Sequence, residues 1–482
     1  MDAANRSPVG PLWLIPSFDV YYTDTAHRRR LHRNSVIGVN GENMTIGEIT
    51  KIVSKVFKPA DPIVNPDQFV GRQKEKRKFQ SAVLTPGYHI VVYGESGIGK
   101  TSLLNVSIKE LNDDFEDHII RYICSENTTY ENIFSEFLKK TNQLYEERHK
   151  ETKSSRKLNA GASINILKGG AESTFERLTA IAPRLEDAYT PYTIVSEFCK
   201  KPYLFVIDDF DRIKSKDVKA QMADTIKIMS SSSSPTKLIL SGVSNTASAL
   251  IGSQPHIMRY FVSIPLSRMR DHELTEIISK GCATLGIKFS AELVKLICKT
   301  SNGLPYFVHL LAHHLSVWAM ENQIEHLHTE HFFSVLEDII YNVLDIIKES
   351  FDDALESYEA HELLGYQSQN ETPPIIRKLV IMALSFMDVF SAQDSKHLCN
   401  LVLLVNEMAE FRKLELPNSF AGGILDNEVE KVVDEICEIS DILRNDGKNN
   451  QVIFSNGYSK GYSLLQAASF CGHQYFLKRF LK

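Results

Sequence analysis

Tyr88-His89-Ile90-Val91-Val92-Tyr93-Gly94-Glu95-Ser96-Gly97-Ile98-Gly99-Lys100-Thr101-Ser102-Leu103-Leu104 is the stretch that decides the fold. Its first part is a β-branched and aromatic run, the pattern of a strand buried on both faces. Gly94 to Thr101 then fits the spacing Gly-x4-Gly-Lys-Thr, and the residues that follow open a helix. Each part has a physical reason. Glycines let the backbone curl into a nest whose N–H groups converge on an anion. The helix behind the nest adds the positive end of its dipole to the same point. A lysine at position 100 is spaced to reach the β- and γ-phosphates of a nucleotide, and the Thr101 hydroxyl is spaced to ligate Mg2+. The expected ligands are therefore ATP and Mg2+, held by Gly94, Glu95, Ser96, Gly97, Ile98, Gly99, Lys100, Thr101 and Ser102. The strand before the loop and the helix after it separate this match from a chance one.

Downstream, Pro202-Tyr203-Leu204-Phe205-Val206-Ile207-Asp208-Asp209 is an apolar strand that ends in acids. In open parallel sheets the ligand sits outside the carboxyl ends of the strands, so these carboxylates belong beside the phosphate loop. Asp208 is expected to hold Mg2+ through water, the Walker B role beside the Walker A loop. Asp209 is expected to orient the attacking water, where many such ATPases carry a glutamate. Its side chain is one methylene shorter than glutamate, which predicts slow hydrolysis. Residues 118–125, 237–245 and 261–266 read as further strands, and helical patterns alternate with them. A parallel α/β sheet covered on both faces is the expected result. Asn245 follows the fourth strand. It has two readings, a contact to the γ-phosphate or the lytic water, or a turn-forming cap. Arg259, just before the fifth strand, is either an arginine finger for a neighbouring subunit or a surface residue at a helix end.

The chain has 482 residues, 43% hydrophobic and 24% charged. This is a globular composition, and the length predicts about three domains. A net charge of −6 excludes a basic nucleic-acid coat. No apolar run is long enough to span a bilayer, so no membrane partner is expected. The N-terminus lacks the basic and apolar regions of a signal peptide. The seven cysteines are scattered without a CxxC pair, which fits a reducing cytoplasm.

After residue 266 the chain reads as helices, and after the Thr372-Pro373-Pro374 break as helices followed by a strand–turn–strand. The expected units are an N-terminal extension over 1–60, an α/β core over 61–266, a helical lid over 267–360 and a winged-helix-like domain over 361–482. The extension holds the basic run His27-Arg28-Arg29-Arg30 and reads as solvated, with an arm for a partner as the alternative. Residues 145–175 read as an insertion. His309, His313 and His314 share a helical stripe without further ligands spaced to suit a metal, so lid packing is their expected role.

Phe69-Val70-Gly71-Arg72, the phosphate loop, the Asp208-Asp209 strand end, Ser241-Gly242-Val243-Ser244-Asn245, Arg259 and Asn302-Gly303-Leu304-Pro305 follow one another in order. Over roughly residues 65–330 this resembles the AAA+ ATPases of the Orc1/Cdc6-like group and the related STAND signalling ATPases. The resemblance implies a P-loop AAA+ core with a helical lid, with Val70 and Arg72 beside the adenine and Pro305 contacting nucleotide. A proline is equally suited to starting the lid helix. Asp-Asp and Gly-x-Pro are more like STAND proteins, and Ser-Asn is more like Orc proteins. Leu304 to His309 contains no arginine where Orc-like lids carry one.

A winged helix raises duplex DNA as a partner. The helix expected before the hairpin carries Asp426, Glu428, Glu430, Asp434, Glu435 and Glu438 against the single Lys431. Such a helix is repelled by phosphates. The leading expectation is an ATP-dependent molecular switch with slow hydrolysis that works through a protein partner or self-association. The alternative is an Orc1-like or transposition-type ATPase acting on duplex DNA. The terminal Tyr475-Phe476-Leu477-Lys478-Arg479-Phe480-Leu481-Lys482 reads as a short basic amphipathic helix suited to docking.

Overall fold

A computed structural model describes residues 36–37, 43–111, 118–140, 189–251, 255–340, 344, 374–387, 394–414, 426–439, 442–446, 451–455 and 457–480. The basic run at 27–30, the 145–175 insertion, the Thr372-Pro373 break and the last two residues lie outside the described residues.

Five strands form the central sheet: β1 (His89–Gly94), β2 (Ile119–Ile123), β3 (Leu204–Asp208), β4 (Lys237–Val243) and β5 (Phe261–Leu266). Their order is β2-β3-β4-β1-β5, and every neighbouring pair is parallel. This is the parallel α/β sheet that the sequence predicts. Alternate residues explain why the strands read as continuous apolar runs. Ile90, Val92, Leu204, Val206, Ile239 and Ile264 face one core with Leu103 and Leu104 of the helix after the loop. Val91, Phe205, Ile207, Leu238 and Leu240 face a second core with Phe134 and Phe137 of the helix at 130–140. The register sets Gly94 opposite Val243 and Leu266, and Asp208 opposite Ile123. The phosphate loop and the acids therefore leave the sheet at the same edge.

The first core continues into the lid. Helices α1 (Ile46–Val56), α2 (Gln73–Leu84) and α3 (Lys100–Lys109) precede or follow β1. The helix at 130–140 is α4, capped by the Thr129 hydroxyl on the Asn132 N–H as its sequence implies. Helix α5 (Lys216–Ser231) covers the sheet's second face. The lid comprises α6 (Asp271–Leu285), α7 (Ala291–Thr300), α8 (Pro305–Glu321) and α9 (Thr329–Asp338). A short parallel bridge between Lys288–Phe289 and His326–Leu327 ties it together.

Helix α1 lies within the segment read as a solvated extension, yet it packs against the lid. Thr45 and Glu48 form a capping box that starts it. Ile49, Val53 and the following Phe57 are completely buried. The Phe57 ring fills a notch over Gly281, where any Cβ would collide with it. A basic run dominates the reading of residues 1–60, and a helix buried on one stripe is hard to see beside it.

Beyond the lid come α10 (Pro374–Ser385), α11 (Ser395–Phe411), α12 (Asp426–Ile439), the antiparallel pair β6 (Leu443–Asp446) and β7 (Gln451–Phe454), and α13 (Gly457–Phe480). The helices and hairpin follow the expected order. The end differs: α13 is a single 24-residue helix rather than a short basic one. It lies against α10 and against lid helices α7 and α9. Phe476 is buried between Phe333 and Phe386. Gly461 sits so close to the lid that an added Cβ would come within 2.5 Å of the Phe307 ring. Gly461→Leu is accordingly expected to lower stability by about 1–3 kcal/mol through overpacking. Thermal unfolding checks this; an unchanged Tm contradicts the contact.

Candidate functional site

Gly97 and Gly99 take φ of 69° and 94°, left-handed values that favour glycine, and Gly99 caps the N-terminus of α3. Lys100 is buried inside the loop it closes. Its Nζ donates to the Gly94 carbonyl at 3.2 Å and to the Glu95 carbonyl at 2.9 Å. Burial pulls the Lys100 pKa below its ordinary value, while Asp211, Asp208, Asp209 and Glu95 push it back up. The ammonium is thus the counter-charge to a cluster of carboxylates.

Asp208 is the hub of that cluster. It accepts from Thr101 Oγ1 at 3.2 Å through Oδ2. Its Oδ1 accepts from Ser241 Oγ and from the Asp209 N–H, the latter at 3.0 Å. Asp209 holds a left-handed φ of 54°, an uncommon conformation for a non-glycine residue. Burial first, and then the charges of Asp208 and Asp211, raise its pKa above the usual carboxylate range. Asp211 Oδ1 accepts the Val243 N–H at 2.8 Å and so ties the acid turn to the end of β4. Close by, burial and the same acids push the Cys124 thiol up to about 12, which keeps it an inert thiol. The Thr101 hydroxyl and the carboxylates form a set of hard oxygens that suits Mg2+, and the glycine nest beside them suits phosphate. The residues present fit a nucleotide with its metal.

The lid meets this loop directly. Pro305 is the first residue of α8, and its Cγ lies 3.9 Å from the position of a Cβ on Gly99. Glu95 forms a two-pronged ion pair with Arg268, which lies between β5 and α6. On the other side, Val70 is buried, and Arg72 is buried with its Nη2 3.5 Å from the Ile98 carbonyl. Ser102 Oγ accepts the Ile63 N–H at 3.0 Å, so it anchors the segment before α2 to the loop helix.

Two sequence-singled residues stand apart. Asn245 is exposed two residues beyond Val243, and the cap of the following turn is supplied by Thr246 Oγ1 to the Ala249 N–H. The structure places it at the correct sheet edge and gives it no capping role. Arg259 is at the opposite edge, because Phe261 pairs with His89 at the start of β1. It is exposed, and its Nη2 donates to Tyr260 OH at 2.7 Å. It does not meet the phosphate loop of its own chain. The three histidines go to separate partners. His309 Nδ1 accepts the Lys58 N–H, His313 Nε2 pairs with Ser54 Oγ, and His314 pairs with Asp338. Burial, with Lys58 nearby, lowers His309 to about 4. Among the described residues these histidines do not join a group of three or more His, Cys, Asp or Glu side chains that could hold a metal ion.

Sequence reasoning missed Ser241, Asp211, Arg268 and Arg121. Ser241 had a signal, since it is a hydroxyl inside an otherwise apolar strand. Asp211 is the third acid of Asp208-Asp209-Phe210-Asp211. Arg121 on β2 is partly buried, which lowers its pKa, and the charge of Asp208 opposes that shift. Nothing in a single sequence pairs Arg268 with Glu95.

The family model described as Novel STAND NTPase 1 matches residues 62–379, more than half of the chain. No curated protein matches the sequence. Among solved structures, the Walker-type ATPase PABY2304 of Pyrococcus abyssi is 12% identical, with 84% of this chain and 98% of that one covered and a TM-score of 0.41. The RuvB Holliday junction branch migration motor of Thermotoga maritima is 16% identical, with 61% and 78% covered and a TM-score of 0.39. The Orc1 protein of Aeropyrum pernix, solved in complex with DNA, is 14% identical, with 82% and 92% covered and a TM-score of 0.37. No helix among the described residues is long and apolar enough to cross a membrane.

Proposed function

Since the chain belongs to the Novel STAND NTPase 1 family, we propose that it is an ATP-binding molecular switch with slow hydrolysis, its nucleotide lodged between the α/β core and the lid. The single observation that carries this reading is the Thr101–Asp208 contact at 3.2 Å beside a glycine nest closed by Lys100. In this reading Gly94 to Ser102 embrace the phosphates and Lys100 turns from the loop carbonyls to the β- and γ-phosphates. Thr101 and Asp208 hold Mg2+, and Val70 and Arg72 line the base. Bound Mg2+ supplies charge neutralisation for phosphoryl transfer. Asp209 orients water. Its short side chain keeps the reach poor. In this reading Asn245, which follows the end of β4, touches the γ-phosphate or that water. Arg259 faces away and serves only a neighbouring copy.

The switch part of the proposal follows from packing. Pro305 abuts the loop, Phe307 lies two residues further along α8, and Gly461 of α13 is pressed against Phe307. A change at the phosphates therefore has a short, stiff route to the C-terminal helix. The division into extension, core, lid and winged-helix-like end describes the bodies that such a switch moves. A protein partner fits better than DNA. Helix α12 buries Val429, Val432, Val433 and Ile436 and exposes Glu430, Asp434 and Glu438. The face left for a duplex is acidic.

Steady-state ATP hydrolysis with and without duplex DNA, with Lys100→Ala as the blank, tests this reading. A slow rate indifferent to DNA is the expected result. Strong stimulation by DNA would replace the switch with a DNA-acting ATPase. Asp209→Glu is expected to raise turnover, by about tenfold if reach limits the step; a fall in rate contradicts the role given to Asp209.

A further inference from the structure

Glu95 is a carboxylate placed inside a loop whose glycines and helix dipole are arranged for anions. It is engaged by Arg268, whose Nε donates to Oε1 at 2.9 Å and whose Nη2 donates to Oε2 at 2.9 Å. This fork-to-fork geometry is the strong and directional form of an ion pair. Both side chains remain about one-third open to solvent, at 33% for Glu95 and 36% for Arg268. The pair is therefore reachable from solvent.

Arg268 does not belong to the loop. It sits two residues past β5, on the segment that enters α6. That segment is clamped to the start of α8. Met269 N donates to the Gly303 carbonyl at 2.8 Å, and a Cβ on Gly303 would come within 2.6 Å of the Arg268 Cβ. Gly303 is followed by Leu304 and by Pro305, whose Cγ lies 3.9 Å from the position of a Cβ on Gly99 of the loop. Arg268 thus stands where the phosphate loop and the lid meet.

A nucleoside triphosphate brings several negative charges to the mouth of this loop, where Glu95 already carries one. Like charges repel. A guanidinium has five N–H donors, and Glu95 uses two of them. Two oxygens of a tetrahedral phosphate can accept both prongs of a guanidinium, as a carboxylate does. We propose that Arg268 is a nucleotide contact from the lid side, for which Glu95 and the terminal phosphates of a nucleoside triphosphate compete. Glu95 is then a built-in competitor. It occupies Arg268 when no triphosphate is bound, and it lowers triphosphate affinity by the strength of the pair. A triphosphate draws the arginine off, and with it the lid entry that Gly303 and Met269 fasten to α8. A diphosphate, lacking the terminal group, draws it less.

The proposal rests on the nucleotide-binding reading, and the test separates the two. Calorimetric titration with Mg·ATP under non-turnover times, and separately with Mg·ADP, is run on wild type, Glu95→Gln, Arg268→Gln, Arg268→Lys, the Glu95→Gln/Arg268→Gln double variant and Lys100→Ala. Glu95→Gln is expected to tighten Mg·ATP about tenfold, and Arg268→Gln to weaken it about tenfold or more, with smaller shifts for Mg·ADP. The two effects are expected to be non-additive in the double variant. Arg268→Lys keeps the charge without the fork and falls between. If Arg268→Gln and Glu95→Gln bind Mg·ATP as wild type does while Lys100→Ala does not, the pair is only a surface tie and the proposal is overturned. If wild type itself does not bind, the nucleotide reading fails first and the proposal with it.

Discussion

Asp208→Asn is expected to cut Mg2+-dependent ATP turnover by about 100-fold or more while leaving the fold in place. The effect follows from what surrounds the carboxylate. One oxygen accepts from Thr101, and the other accepts from Ser241 and from the backbone N–H of Asp209. An amide of the same shape keeps some of these contacts, so the strand end need not unravel. It removes the negative charge that would share a divalent cation with Thr101. Asp209 and Asp211 remain nearby, but Asp211 is committed to the Val243 N–H and Asp209 projects from a left-handed turn. Neither replaces the lost ligand. Hydrolysis measured against a Mg2+ titration checks this. Wild-type rates in the variant at saturating Mg2+ would place the metal elsewhere.

Phe57→Ala is the second large effect, and it acts on stability. The ring is fully buried, occupies the notch over Gly281, and meets the His309 ring edge-on with centroids 6.2 Å apart. Truncation leaves a cavity between α6 and α8 that the glycine cannot fill. Large-to-small changes of this kind cost about 3–5 kcal/mol. Part of the lid's seat goes with it, because the Lys58 N–H donates to His309 Nδ1 immediately beyond the ring. Denaturant unfolding is the measurement. A loss below about 1 kcal/mol would mean that α1 is not part of the lid core.

The sheet and the phosphate loop were legible because their signals are local. A strand buried on both faces is a continuous apolar run, and the loop's chemistry is written in consecutive residues. Asp208 was legible for the same reason, as an acid at the end of such a run. What escaped depends on partners distant in sequence. Ser241 is ordinary until it lies beside Asp208 across the β3–β4 pair. Glu95 and Arg268 are unremarkable singly and acquire meaning only through a contact between the loop and the lid entry. Helix α13 escaped for another reason. Gly461 and Gly472 interrupt it, and glycine is a poor helix former. Packing overrides that propensity, since Tyr462, Leu465, Ala468 and Cys471 are all buried. Gly461 is there because Phe307 leaves no room for a side chain.

Equilibrium binding of Mg·ATP to the wild-type chain and to Lys100→Ala tests the central claim most directly. Lys100 is the buried ammonium facing Asp208, Asp209, Asp211 and Glu95 inside the loop, so no other residue replaces it. The account predicts that the wild-type chain binds and is stabilised against heat by ATP, and that Lys100→Ala weakens binding by about 100-fold or more. Equal binding by the two proteins, or none by either, would contradict it.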